Sequence, residues 1–243
     1  MPTLWIAIGL SLLGGLGGLL IASGVLLIRD PLRAKLIPWL VSYAVGALLG
    51  ISMMGLLPES LRDLPPARVF ATLLGGILLF FILEKLVLWR HCHTHDCEVH
   101  ESTVASVMIG DTFHNFVDGA VIAAAVLTSV PLGVSTAVAV AAHEIPQEVG
   151  DFAILLHAGY SREKALLLNV MSALASAAGA VAAFLAVDLV PRTLPYFLVL
   201  AASSFLYVAM ADLIPGLHRG RTDASSLRQI VLIALGIASM VWF

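Results

Sequence analysis

Two short polar motifs interrupt long apolar runs of this sequence, and their residue types are those that bind metal ions. The first is HNFVDG at 114–119 and the second is HEIPQE at 143–148. Ionisable side chains in the middle of such runs usually face a polar cavity or an ion path. Imidazole with carboxylate and amide oxygens favours a borderline divalent ion such as zinc, and also accommodates iron or manganese. The two motifs therefore predict a divalent metal site.

Helical periodicity places the polar groups of each motif on one side of a helix, because each residue adds about 100° of rotation. The first polar wedge contains Asp111, His114, Asn115 and Asp118. The second contains His143, Glu144, Gln147, Glu148 and Asp151. A helix in lipid cannot expose such a wedge, so we expect the two wedges to face each other. At about 1.5 Å per residue, both histidines lie about 15 Å from the start of their apolar runs, near the middle of a bilayer.

The spacing divides these groups into predicted ligand sets, because side chains at i and i+4 share a helix face. One four-ligand set comprises His114, Asp118, His143 and Gln147. A neighbouring, weaker and more oxygen-rich set comprises Asn115, Glu144 and Glu148. An exit path toward the cytoplasm is predicted through Asp111, Asp151, His157, Asp212 and His218. For the last two of these, a polar cap at a helix end is an equally good explanation.

At the opposite face of the membrane, three residues are candidates for a loose metal-collecting mouth: Met53, Met54 and Glu59. An interfacial carboxylate with gap-filling methionines is the commoner arrangement and stays open as the alternative.

Composition excludes a soluble domain and favours a helical membrane protein. Hydrophobic residues make up 60% of the 243-residue chain, charged residues make up 12%, and the mean hydropathy is +0.99. Runs of about 18 or more apolar residues are long enough to cross a bilayer as helices. We therefore predict an all-α polytopic membrane protein with one transmembrane domain over residues 1–243. Its eight spans are placed at 4–28, 36–57, 69–89, 103–129, 133–157, 164–188, 194–216 and 227–243.

The distribution of positive charge predicts the orientation of these spans. If the loops alternate between the two faces, all Lys and Arg residues except Arg62, Arg68 and Arg192 fall on the same side. Loops rich in Lys and Arg stay in the cytoplasm. Both termini are therefore expected outside the cytoplasm.

The loop at 91–102 has an unusual composition and is expected in the cytoplasm. Its potential ligands are His91, Cys92, His93, His95, Cys97 and His100. A structural disulfide is not expected in a reducing compartment, and the spacing matches no closed structural zinc module. A biased tract of this kind favours a flexible metal acceptor or sensor. A solvated polar loop remains the alternative.

The two motifs resemble the signature of the ZIP (Zrt-, Irt-like) family of metal transporters. HNFxDG in the fourth span and HExPxE in the fifth are the most specific features, and GDFA at 150–153, the pair Asn169 and Ser172, and Leu206-Tyr207 also look familial. The resemblance extends over essentially the whole chain and matches eight spans with both termini outside. It implies uptake of zinc or a related divalent metal, including cadmium, through a site between the fourth and fifth helices. It also implies a homodimer and an elevator-type movement, in which a transport bundle slides past a scaffold. The metal is then the transported substrate, and no cofactor is expected.

This chain departs from the family pattern at two positions. The subfamily closest in wording has HExPHE in the fifth span, where this chain has Gln147, so a weaker or differently selective primary site is expected. Some bacterial members supply a bridging Glu from the sixth span, where this chain has Ser176. A tightly held two-metal centre is therefore in doubt. The compact loops favour the inner membrane of a bacterium.

Other functional classes remain as alternatives. A zinc-dependent intramembrane protease needs HExxH on an unbroken helix, but Gln147 occupies the second histidine position and Pro146 interrupts the helix. A zinc hydrolase that uses buried His and Asp is a related alternative. A passive channel also stays open, since gating is not encoded in short motifs. The sequence favours a transporter that is not an enzyme.

Overall fold

The computed structural model of this chain describes residues 2–89, 99–217 and 224–241, and every regular element in these ranges is a helix. The first group of helices is α1 (Pro2–Leu26), α2 (Asp30–Gly50), α3 (Leu57–Asp63) and α4 (Pro66–Trp89). The second group is α5 (Val99–Thr128), α6 (Val130–His157), α7 (Arg162–Ala173) and α8 (Ala175–Leu189). The last is α9 (Leu194–Tyr207), α10 (Ile214–Leu217) and α11 (Ala224–Val241).

Two π-helical segments continue the longer helices. The segment Ile51–Leu56 joins α2 to α3, and Val208–Leu213 joins α9 to α10. A short 3-10 turn, Pro191–Thr193, precedes α9. Each predicted span therefore corresponds to a continuous or nearly continuous helical stretch.

Within the described ranges, five stretches are long and apolar enough to cross a membrane: Pro2–Leu26, Pro31–Asp63, Pro66–Lys85, Arg162–Leu189 and Pro191–Leu217. The helices α5 and α6 are also long, with 30 and 28 residues, but the polar residues of the two motifs lower their mean hydropathy. The apolar part of the last helix is shorter and covers Ser226–Val241. The all-α membrane class is thus confirmed. The crossing of all eight spans and the location of the termini stay predictions.

The connection between α5 and α6 consists of Ser129 alone, so the two helices form a tight antiparallel hairpin. The Ser129 side chain accepts a hydrogen bond from the amide of Leu132 at 3.3 Å and caps α6. His114 lies 15 residues before Ser129 (129 − 114) and His143 lies 14 residues after it (143 − 129). At about 1.5 Å per residue, the two histidines come to nearly the same depth in the hairpin.

The helices pack as two bundles. One bundle, which we call the site bundle, contains α1 and α5 to α8; the other, the flanking bundle, contains α2 to α4 and α9 to α11. The bundles contact each other mainly where α2 packs against α6 and where α9 packs against α5. Both motif helices therefore belong to one bundle and face the other.

Glycines allow backbones to touch inside each bundle. A Cβ at Gly119 of α5 would lie 1.7 Å from the carbonyl oxygen of Ser176, and one at Gly179 of α8 would lie 1.8 Å from that of Phe116. In the flanking bundle, a Cβ at Gly46 would lie 2.1 Å from the carbonyl oxygen of Ile233. Small residues permit such close approach of helices in lipid. Each bundle thus contains a crossing that tolerates no larger residue without separation of the helices.

Candidate metal centre

The two motif histidines meet at the interface of α5 and α6. The Nε2 atoms of His114 and His143 are 3.1 Å apart. The other ring nitrogen of His143, Nδ1, lies 3.1 Å from the carbonyl oxygen of Ala139, which can only accept a hydrogen bond. Nδ1 therefore carries the proton, and Nε2 presents its lone pair to the centre, as in many metal-binding histidines.

Two carboxylates complete this group. Asp118 Oδ2 lies 3.1 Å from His143 Nε2 and 3.6 Å from His114 Nε2. Glu144 Oε1 lies 3.6 Å from His114 Nε2 and 3.8 Å from His143 Nε2. Zinc bonds to nitrogen and oxygen of roughly 2.1 Å give tetrahedral ligands a mutual separation of about 3.4 Å. The observed spacing therefore suits a four-coordinate divalent ion with only small adjustment.

A second group lies beside the first and consists of carboxylates. One oxygen from each of Asp111, Glu144 and Glu148 lies within 4.8 Å of the other two. Glu144 belongs to both groups, because one of its oxygens also lies within 4.8 Å of His114, Asp118 and His143. Oxygen-only groups favour harder cations and hold zinc less tightly than groups that contain imidazole.

The carboxylates of both groups are buried without hydrogen-bond partners among the described residues. Both oxygens of Asp118, Glu144 and Glu148 are in this state, as is Oδ2 of Asp111. Buried charges persist when they are paired or bind a metal. The unpaired oxygens therefore indicate a cation site.

The grouping differs from the predicted ligand sets at Gln147 and Asn115. Gln147 Nε2 donates to Asp111 Oδ1 at 3.2 Å, and Asn115 Nδ2 donates to the same oxygen at 3.2 Å. Gln147 therefore stays one helical turn away from the histidine group, and Glu144 takes the fourth position there. The i, i+4 rule selects residues on a common helix face. It does not predict that the long side chain of Glu144, the residue next to His143, extends to the histidine group.

The predicted exit residues are only partly brought together. A cavity of about 460 Å³ is lined by His114, Asp111, Gln147, Asp151 and Asp212. His114 has 18% of its side chain exposed, so the histidine group is open toward this cavity. His157 is an exposed residue at the end of α6 and does not line the cavity.

The remaining predicted site residues lie apart from the centre or outside the described residues. Met53 and Met54 are each 55% exposed in the π-helical segment. Glu59 pairs with Arg62 at 2.9 Å and so has an ordinary surface partner. His100 lies in the first turn of α5, but its side chain is outside the described part, as are His91, Cys92, His93, His95, Cys97 and His218.

Two residues that the sequence reading did not single out as site residues lie near the centre. The Tyr207 hydroxyl donates a short hydrogen bond to Glu84. Both line a cavity of about 220 Å³ together with His114 and Asp212. In the sequence, Glu84 stands out only as an acid near the end of an apolar run, and Tyr207 only as part of the pair Leu206-Tyr207 that resembles the family pattern.

Two glycines of α1 allow it to approach the metal centre closely. A Cβ at Gly18 would lie 2.8 Å from Glu144 Cβ, and one at Gly15 would lie 3.3 Å from Asn115 Oδ1. The cluster of glycines in α1 therefore packs against the backs of the polar residues. This contact restricts the positions that Glu144 and Asn115 can adopt.

Comparison with known proteins identifies the family of this chain. The family described as "ZIP Zinc transporter" matches residues 89–243. Zinc transporter ZIP13 of Pongo abelii is 33% identical over 234 residues, which cover 89% of this chain and 70% of that protein.

Two further relatives match a shorter region. Zinc transporter ZIP4 of Homo sapiens is 45% identical over 115 residues, which cover 47% of this chain and 18% of that protein. Zinc transporter ZIP10 of Danio rerio is 39% identical over 132 residues, which cover 53% of this chain and 16% of that protein. This chain thus aligns with only a small part of ZIP4 and ZIP10 but with most of ZIP13. It belongs to the ZIP family of zinc transporters.

Proposed function

We propose that the protein carries a divalent metal ion, with zinc as the preferred substrate, across the membrane into the cytoplasm. The ion is held between α5 and α6 by His114, Asp118, His143 and Glu144. The observation that carries this proposal is the convergence of four donor atoms from two helices within 4.8 Å. Membership of the ZIP family supports transport as the activity and zinc as the substrate class.

The charge of this ligand set explains how an ion crosses an apolar region. Two neutral imidazoles and two carboxylates carry two negative charges, which balance a divalent cation. A neutral complex avoids the large free-energy cost of an uncompensated charge in a low-dielectric environment. The ligand set therefore favours a dication over a monovalent ion.

Glu144 provides the step from the binding position to the exit. Because it belongs to both groups, an ion can exchange its imidazole ligands for Asp111 and Glu148 without losing Glu144. The carboxylate group holds zinc less tightly, which favours release. The ion then reaches the cavity of about 460 Å³ that Asp111 and Asp212 line.

The two bundles suit an alternating-access movement of the elevator type. The proposed ligands all belong to the site bundle, so this bundle can move as a unit with its ion past the flanking bundle. We extend the proposal to eight spans, to both termini outside the cytoplasm and to a homodimer. The inner membrane of a bacterium is the proposed location, and iron, manganese and cadmium are the proposed competing substrates.

The alternative of a zinc-dependent hydrolase or metalloprotease gains no support from the site. Gln147 lies at the position of the second histidine of HExxH and is bound to Asp111. Glu144 lies among the proposed ligands, whereas the metalloprotease motif requires that glutamate as a general base.

Uptake of radioactive zinc into proteoliposomes tests the proposal. We expect His114→Ala, Asp118→Ala and His143→Ala each to lower uptake by about 100-fold or more, because each removes one of four ligands. Thr136→Ala is the matched control, since this buried residue of α6 bonds only the carbonyl of Leu132 in its own helix, at 2.7 Å. Zinc uptake at the wild-type level in all three ligand variants would refute the site. Competition by iron, manganese and cadmium would rank the substrates, and saturable flux with a turnover too slow for a pore would distinguish a carrier from a channel.

A further inference from the structure

A second large cavity lies away from the proposed ligands and has a different chemistry. It has a volume of about 780 Å³ and lies between α2, α10 and α11. Two cationic side chains line it, Lys35 from α2 and Arg228 from α11, against one carboxylate, that of Asp212. Among the described residues that line this cavity, cationic side chains thus outnumber carboxylates, in contrast to the acidic metal centre.

The rest of the lining has the character of a lipid interface. The guanidinium carbon of Arg228 lies 5.5 Å from the centroid of the Trp39 ring, and Trp39 is 37% exposed. Tryptophan is enriched where membrane headgroups begin. Apolar side chains, including Leu213 and Leu217, form the neighbouring wall. The lining thus has a cationic part and an apolar part. A phosphate group would fit beside the cations, and an acyl chain would fit along the apolar wall.

We propose that this cavity binds the headgroup phosphate of an anionic phospholipid. Lys35 and Arg228 bind the phosphate, and Trp39 packs against the glycerol region. Basic pockets between transmembrane helices at the cytoplasmic side bind such headgroups in general, and the distribution of Lys and Arg predicts this face as cytoplasmic.

A bound lipid would also affect the release of metal. The cavity shares Ile37, Val41, Asp212 and Leu213 with the lining of the cavity beside the metal centre, so the two spaces are adjacent. Without an anion, Lys35 repels a dication that approaches Asp212. An anionic headgroup neutralises Lys35 and eases release. This consequence rests on the proposed transport function, whereas lipid binding does not.

Quenching of Trp39 fluorescence by lipids brominated near the top of the acyl chains measures the binding directly. Trp5, Trp89 and Trp242 are first replaced by Phe, so that Trp39 alone reports. We expect brominated phosphatidylglycerol to quench at a lower mole fraction than brominated phosphatidylcholine. Lys35→Gln should weaken the apparent affinity for phosphatidylglycerol by about fivefold, the effect of one cation near a membrane surface.

Arg62→Gln is the matched control, because Arg62 is an exposed cation near the end of α3, paired with Glu59 and outside the cavity. It should leave the preference unchanged. Equal quenching by both lipids, or the same preference in Lys35→Gln as in the parent, would overturn the proposal. Reversal of the quenching by inorganic phosphate would also overturn it, because the site would then select free phosphate.

Zinc uptake separates the lipid site from the transport function. In vesicles of phosphatidylcholine, added phosphatidylglycerol should accelerate uptake, and Lys35→Gln should reduce this acceleration. If brominated phosphatidylglycerol quenched Trp39 as expected but zinc entered vesicles neither with nor without phosphatidylglycerol, the transport function would be refuted and the lipid site would stand. Uptake that ignores phosphatidylglycerol would refute the coupling of the lipid to release.

Discussion

The helix contacts inside the bundles differ in kind from those between them. Inside the site bundle, α5 and α8 touch backbone to backbone at Gly119 and Gly179. Between the bundles, a Cβ at Gly55 would lie 3.0 Å from a side-chain methyl of Leu132 in α6. Methyl groups at the ends of side chains can change rotamer, whereas a backbone carbonyl cannot move without its helix. Each bundle is therefore built to stay intact while the interface between bundles can rearrange.

Hydrogen bonds link helices inside each bundle, and one also crosses the boundary, from Arg33 of α2 to the carbonyl of Leu26 in α1 at 3.4 Å. In the site bundle, Ser176 donates to the carbonyl of Ser11 at 3.3 Å. In the flanking bundle, the hydroxyls of Tyr43 and Ser239 are 3.0 Å apart. Across the boundary, the rings of His143 and Phe205 meet edge to face, with centroids 5.9 Å apart. An apolar ring contact tolerates sliding better than a directional hydrogen bond. The metal centre thus lies at the boundary but takes its ligands from one side.

The largest effect is expected at the tightest contact inside the site bundle. Gly119→Ala places a Cβ 1.7 Å from the Ser176 carbonyl oxygen, so α5 and α8 must separate. We expect a destabilisation of about 3 kcal/mol, at the upper end of the usual cost of overpacking. Thermal unfolding of the purified protein measures it.

The control for Gly119 is Gly110→Ala, because Gly110 lies on the same helix with no atom within 4 Å of its added Cβ. This change should be neutral or stabilising by up to about 1 kcal/mol, since alanine favours helices. If the two variants were equally stable, the contact at Gly119 would not be rigid, and the proposed difference between contacts inside and between the bundles would be refuted.

A slightly smaller effect is expected in the flanking bundle. Gly46→Ala places a Cβ 2.1 Å from the carbonyl oxygen of Ile233, where α2 crosses α11. We expect a loss of about 2 kcal/mol of stability, again measured by thermal unfolding. Gly24→Ala, which meets no atom within 4 Å, serves as the neutral reference. If Gly46→Ala unfolds at the parent temperature, the flanking bundle is not rigid at this crossing.

The smallest effect on stability is expected between the bundles, where the effect on rate should be more evident. Gly55→Ala meets only mobile methyl groups of Leu132 and Ile51, so stability should change by less than about 1 kcal/mol. The initial rate of zinc uptake should fall about twofold or more, since conformational steps often limit turnover. If Gly55→Ala left zinc uptake unchanged but greatly lowered stability, the contact between the bundles would be the rigid kind, and Gly55 would have a structural role.

Much of the fold could be predicted from the sequence, because apolar runs and polar wedges depend on local periodicity. The all-helical class follows from the hydrophobic runs, and the structure places the polar sides of α5 and α6 against each other. The ligand grouping could not be predicted in detail. It depends on Asp111, which binds the amides of Gln147 and Asn115, and on the reach of Glu144. Both amides donate to the same oxygen, Oδ1 of Asp111, and this arrangement depends on the packing of α5 against α6 rather than on local sequence.

The division into bundles was also beyond the sequence. The glycine cluster of α1 indicated close packing in general, but its partners, Glu144 and Asn115, are known only from the structure. The same holds for Gly46, whose close contact lies far along the chain at Ile233. Helix packing in lipid depends on shape, and a single sequence does not specify which small residues face each other.

Ser129 alone separates α5 from α6, so the number of residues between this turn and each histidine fixes the depth of that histidine in the hairpin. An insertion of one residue between Ser129 and His143 would rotate the second motif by about 100° and shift it by about 1.5 Å. The imidazole would then point into a neighbouring helix. Lineages of this protein are therefore expected to reject length changes throughout 114–148.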